Sequence, residues 1–177
     1  MKMTDDLYKN AFEKNLTEHG LNQTNNTDNI CNLVCGNKPN QITAQFITSE
    51  PIDESIHGSH NGNKIQAIGY FRFTLPPPGV SKPYFFIFGF HNPQKDCIEF
   101  LIIPANELNR RLQSKDRTKN EENEIELQFW LMEDNFVFET KGISGEGEWW
   151  FINGRMGEQS ILDYSKFLNY FEGMRMS

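Results

Sequence analysis

Seven consecutive residues, Tyr84-Phe-Phe-Ile-Phe-Gly-Phe90, offer water one polar side-chain atom, the hydroxyl of Tyr84. A run this short has the length of a strand, and a strand sends successive side chains to opposite faces. Both faces of this one are apolar. It therefore belongs in the interior of a sheet covered on both sides, and the rest of the chain must supply the two covers.

The flanking sequence reads in the same terms. Cys97 to Ile103 is a second buried strand beyond the turn His91-Asn-Pro-Gln-Lys-Asp96. From Ile65 to Leu75, Phe71, Phe73 and Leu75 alternate with Arg72 and Thr74, the period of a half-buried strand. Pro76-Pro77-Pro78-Gly79 ends it, because proline supplies no ladder donor. Ile30 to Cys35 and Ile42 to Thr48 flank the turn Gly36-Asn-Lys-Pro-Asn40 and predict a hairpin. Ile125 to Leu131 alternates cleanly, with Phe136 to Thr140 as its partner and Trp149 to Ile152 as a short strand.

Helices are expected at three places. Residues 4–19 open on Thr4 as N-cap, stop at Gly20, and place Leu7, Ala11, Phe12 and Leu16 on one face. Pro104 to about Leu112 forms a short one. A closing helix starts at Ser160 or Asp163 and buries Tyr164, Phe167, Leu168 and Phe171. Residues 21–29, 49–63 and 113–124 read as polar loops. This order predicts an α/β (α+β) fold with one central mixed sheet flanked by helices.

At 177 residues the chain has the size of a single domain, and its 15 phenylalanines can fill much of the core. The net charge of −7 disfavours broad attraction to phosphate backbones. The three cysteines, Cys31, Cys35 and Cys97, do not suggest a disulfide framework. With no apolar leader at the N-terminus and no apolar run of membrane-spanning length, the expected place is the cytoplasm, with no membrane partner.

Three segments together resemble a known family. They are Ala67-Ile-Gly-Tyr-Phe-Arg-Phe-Thr-Leu-Pro76, Lys82-Pro-Tyr-Phe-Phe-Ile-Phe-Gly-Phe90 and Ile98-Glu-Phe-Leu-Ile-Ile-Pro104-Ala-Asn-Glu-Leu108. In this order they are similar to the later core of restriction-endonuclease-like, or PD-(D/E)XK, proteins. Asp163-Tyr-Ser-Lys-Phe-Leu-Asn-Tyr-Phe171 resembles their closing helix. The resemblance implies a restriction-endonuclease-like core with a C-terminal β-extension. It also implies a Mg²⁺-dependent cut of nucleic acid, with carboxylates holding the metal and a lysine positioning the attacking water.

On the positions that carry this chemistry the chain departs from the family. Asp28 stands early on the second strand as the metal-ligand candidate, and Asn32 occupies the place of a second-strand aspartate. On the third strand Gln45 fits the middle position, but Ile47 stands where the lysine belongs. Lys64 and Arg72, on the next strand, are the substitutes to consider. Glu139-Thr-Lys141, with Asp134 before it, is a literal E-x-K on segments too short to reach between strands. The resemblance thus points to a degenerate, nuclease-like domain that binds DNA or a protein partner without cutting, in a restriction or defence-type setting. Mg²⁺ enters only if the chain is active; otherwise no cofactor is expected. The alternatives are an active nuclease with a relocated basic residue, and an acidic interaction or immunity-type module with no nucleic-acid role.

His57, His60 and His91 with the cysteines lack the paired spacing of a zinc site, so loop histidines and buried thiols are the plainer reading. Trp149 and Trp150 face opposite ways if they lie in a strand, so either both sit in a core, the plainer reading, or one joins Arg72 as a residue to bind a nucleic acid or anchor a partner. Arg110, Arg111, Lys115, Arg117 and Lys119 are followed directly by Glu121, Glu122 and Glu124, a mixed solvated stretch.

Overall fold

The computed structural model describes residues 4–27, 30–35, 41–50, 59–60, 63–75, 84–113, 124–140 and 162–176. Helix α1 (Thr4–Glu18) is followed by strands β1 (Leu21–Thr27), β2 (Ile30–Cys35), β3 (Gln41–Thr48), β4 (Ser59–His60) and β5 (Asn63–Phe73). Then come β6 (Tyr84–Asn92), β7 (Cys97–Pro104), helix α2 (Ala105–Gln113), β8 (Ile125–Met132) and β9 (Val137–Glu139). A 3₁₀ turn at Ser165–Phe167 and helix α3 (Phe171–Arg175) close the described part.

The fold is α+β with a mixed multistranded sheet. Its described strands form two sheets where the sequence suggests one. The first runs β1-β2-β3-β6-β7, with β3 parallel to β6 and every other pair antiparallel. The second runs β4-β5-β8-β9 and is antiparallel throughout. Alternating apolar residues fix which face of a strand is buried but not which sheet it joins, so the division escapes a reading by period.

The two covers demanded by β6 are now identified. Phe85 and Ile87 face α1, where they meet Phe12 and Leu16. Phe86, Phe88 and Phe90 face the second sheet, where they meet Phe71, Phe73 and Phe129. Phe71 and Phe88 pack edge to face with centroids 5.0 Å apart, the geometry that ring quadrupoles favour. Gly89 is the gap in this wall. A Cβ there would come within 3.0 Å of the Tyr8 ring on α1, so glycine lets the helix lie against the sheet.

Two local expectations are corrected. Residues 21–27 are strand β1, not loop. Their Asn and Thr side chains carry no apolar pattern, but the backbone pairs with β2, and Leu21 enters the core at 1% exposure. The closing helix over 163–171 is absent. Residues 162–169 instead run as an extended strap broken by the 3₁₀ turn, with Asn169 in the left-handed region at φ 52°. Glu139 N donates to Leu162 O and Tyr164 N to Val137 O, which seals the outer edge of β9. Leu168 bridges Leu101, and Asn169 N donates to Phe100 O at 2.6 Å, which seals the outer edge of β7. Between these contacts Tyr164 and Phe167 enter the inter-sheet core. Phe171 and Met174 then enter the core under α1. One segment thus ties both sheets together.

Among the described residues no helix is long and apolar enough to cross a membrane. The expected strand at Trp149–Ile152 lies wholly outside the described residues, as do the loop at 113–124 but for its two outermost positions and most of the loop at 49–63.

Candidate functional site

The parallel contact of β3 with β6 sets Gln45 and Ile47 on the face that looks toward the second sheet. In register, Thr43 lies between Asn32 on β2 and Tyr84 on β6. Thr43 Oγ1 donates to Asn32 Oδ1 at 3.2 Å, and Tyr84 Oη donates to Gln45 Oε1 at 2.8 Å. The result is a half-buried row of amides and hydroxyls beside the inter-sheet core. Burial pushes the Tyr84 phenol up, so it remains a neutral donor. Two positions past Gln45, Ile47 is only 7% exposed and belongs to the inter-sheet core.

Among the described residues, the other expected site residues, Lys64, Arg72 and Glu139, do not join this row. Asp28, Trp149 and Trp150 lie outside the described residues, as does Lys141. Lys64 is exposed at the start of β5, where its carbonyl accepts from Glu133 N. Its near neighbour Gln66 touches Asn92 at the far end of β6, whereas Gln45 touches Tyr84 at the near end. Those ends are about 26 Å apart at a strand's rise per residue. Arg72 lies on the outer face of the second sheet, opposite in sense to Phe71 and Phe73. Its Nε is 3.1 Å from Glu126 and 3.6 Å from Glu50, and its guanidinium lies over the Tyr70 ring. Glu139 of the literal E-x-K is fully buried and accepts from Tyr164 Oη at 3.0 Å, while Asp134 sits exposed in the β8–β9 turn.

The described residues of the row do not by themselves make a magnesium site. Its described oxygens belong to neutral amides and hydroxyls, whereas Mg²⁺ is usually held through one or two carboxylates. Among the described residues no group of three or more His, Cys, Asp or Glu side chains is placed to hold a metal ion. Several of the described cations are neutralised locally. Lys14, Arg72, Lys95, Arg110 and Arg175 each lie within 4.0 Å of a carboxylate.

Two polar clusters that sequence reasoning missed are built more tightly. On β7, Glu99 is 5% exposed. Its Oε2 accepts from Asn169 Nδ2 at 2.6 Å, and its Oε1 accepts from Lys95 Nζ at 3.2 Å and Asn92 Nδ2 at 3.4 Å. Burial pushes its pKa up, but the bonds from Asn169, Lys95 and Asn92 outweigh burial and hold it below the ordinary glutamate value. On α2, Arg111 is 2% exposed. Its Nε donates to Glu107 at 2.8 Å, Nη1 donates to Asp163 O, and its plane lies 4.5 Å from the Tyr164 centroid. Hydrogen bonds from Arg110, against a smaller cost of burial, and the adjacent Arg111 hold Glu107 at about 2. The signals were present in the sequence: a lone glutamate inside the apolar run CIEFLII, and an arginine four residues after a glutamate beside Leu108 and Leu112. Both clusters fasten the strap, to β7 and α2 respectively.

Comparison of the chain with protein-family models, with curated proteins and with solved structures finds no match.

Proposed function

We propose that this chain is a nuclease-like domain with a restriction-endonuclease-like core that no longer cleaves and acts by binding a macromolecular partner. The observation that carries this reading is Ile47. At the position where an active member would present its lysine, this chain has an aliphatic side chain committed to the core between the sheets. Gln45, the neighbouring position of that pattern, is held by the Tyr84 hydroxyl. The surface charge favours a protein partner over a nucleic acid. The chain carries −7 overall, and several described cations, Arg72, Lys95 and Arg110 among them, lie against carboxylates.

The test is a cleavage assay of the full chain on mixed single- and double-stranded DNA and RNA, with Mg²⁺ or Mn²⁺, alongside a titration of labelled duplex. The expected result is no cleavage in either metal and no duplex binding at physiological salt. Metal-dependent cleavage that disappears in both Asp28→Ala and Gln45→Ala would overturn the reading in favour of an active nuclease. Tight binding of duplex without cleavage would replace the protein partner with DNA.

A further inference from the structure

We draw no further inference here: the strongest candidate, the side-chain cluster of Lys95 and Cys97 on the buried Glu99 at the foot of the β6–β7 hairpin, belongs to the fastening of the strap to β7 already described.

Discussion

Replacing Glu99 by glutamine removes no heavy atom, yet it alters the balance of donors and acceptors at the foot of the β6–β7 hairpin. Four donors point at the carboxylate: Asn169 Nδ2 on one oxygen, and Asn92 Nδ2, Lys95 Nζ and the Cys97 thiol on the other. Neither asparagine is free to turn. Asn169 Oδ1 accepts from Phe100 N at 3.0 Å, and Asn92 Oδ1 accepts from Gln94 N and Lys95 N. Their amide nitrogens must therefore face residue 99, and only a side chain with two acceptor oxygens satisfies both. A glutamine turns one of those oxygens into a donor set against a donor. The expected loss is about 2–3 kcal/mol at neutral pH, the range for a buried charge-assisted bond whose partner is left unsatisfied. The pH dependence follows from the direction of the pKa. Glu99 is held below its unfolded value of 4.5, so its contribution is complete above that value and is lost as pH falls through the lower folded one. Urea unfolding of parent and Glu99→Gln at neutral pH and in acid is the assay. The two stabilities should differ at neutral pH and converge in acid. A neutral-pH difference under about 0.5 kcal/mol, within ordinary surface scatter, would refute the reasoning. So would a difference that acid leaves unchanged.

Ile47→Lys restores the residue type of the nuclease pattern but places an ammonium in the inter-sheet core, and should cost about 3–5 kcal/mol in denaturant unfolding without conferring cleavage. Arg111→Lys keeps the charge but loses the planar fork that spans Glu107 and Asp163 O and lies on Tyr164. A loss of about 2 kcal/mol by thermal unfolding is expected, and no loss would mean the fork is dispensable. Gly69→Val sets a Cβ 2.5 Å from the Phe71 ring, which must shift from its place against Phe88. The cost should be about 1–3 kcal/mol with a changed near-ultraviolet dichroism.

The strands around β6 were legible because burial on both faces leaves an unbroken apolar run, and burial on one face leaves alternation in Phe71 and Phe73 or in Leu127 and Phe129. β1 was illegible because its place depends on backbone bonds that any sequence can make, and its Asn and Thr side chains are those of a loop. The strap misled for a different reason. Tyr164, Phe167, Leu168 and Phe171 have helical spacing, but they serve two cores, one on each side of the mixed sheet, and Asn169 reverses the backbone between them. At the site, the absence of lysine at position 47 was plain from the sequence, whereas the burial of Ile47 needed the second sheet. Lys64 and Arg72 lie on the same strand as Phe71, but strand length and facing separate them from Gln45, and neither is visible without a register. Glu99 and Arg111 went unnoticed as buried polar anchors because their partners, Asn169 and Asp163, are distant in sequence.

The strap also sets an order of events during synthesis. Residues 162–169 leave the ribosome long after β7, at a rate of about 5–20 residues per second. For that interval both sheets carry a bare edge, and the layer between them lacks Tyr164 and Phe167. The nascent chain is then a partly zipped object whose aromatic interior is open to chaperones and to other nascent copies. Its last closure joins residues as far apart in sequence as Leu101 and Leu168, the kind of long-range contact that forms slowly. Conditions that slow translation past β9 lengthen this exposure, so yield in the cell should depend on elongation rate more steeply than the stability of the finished fold implies.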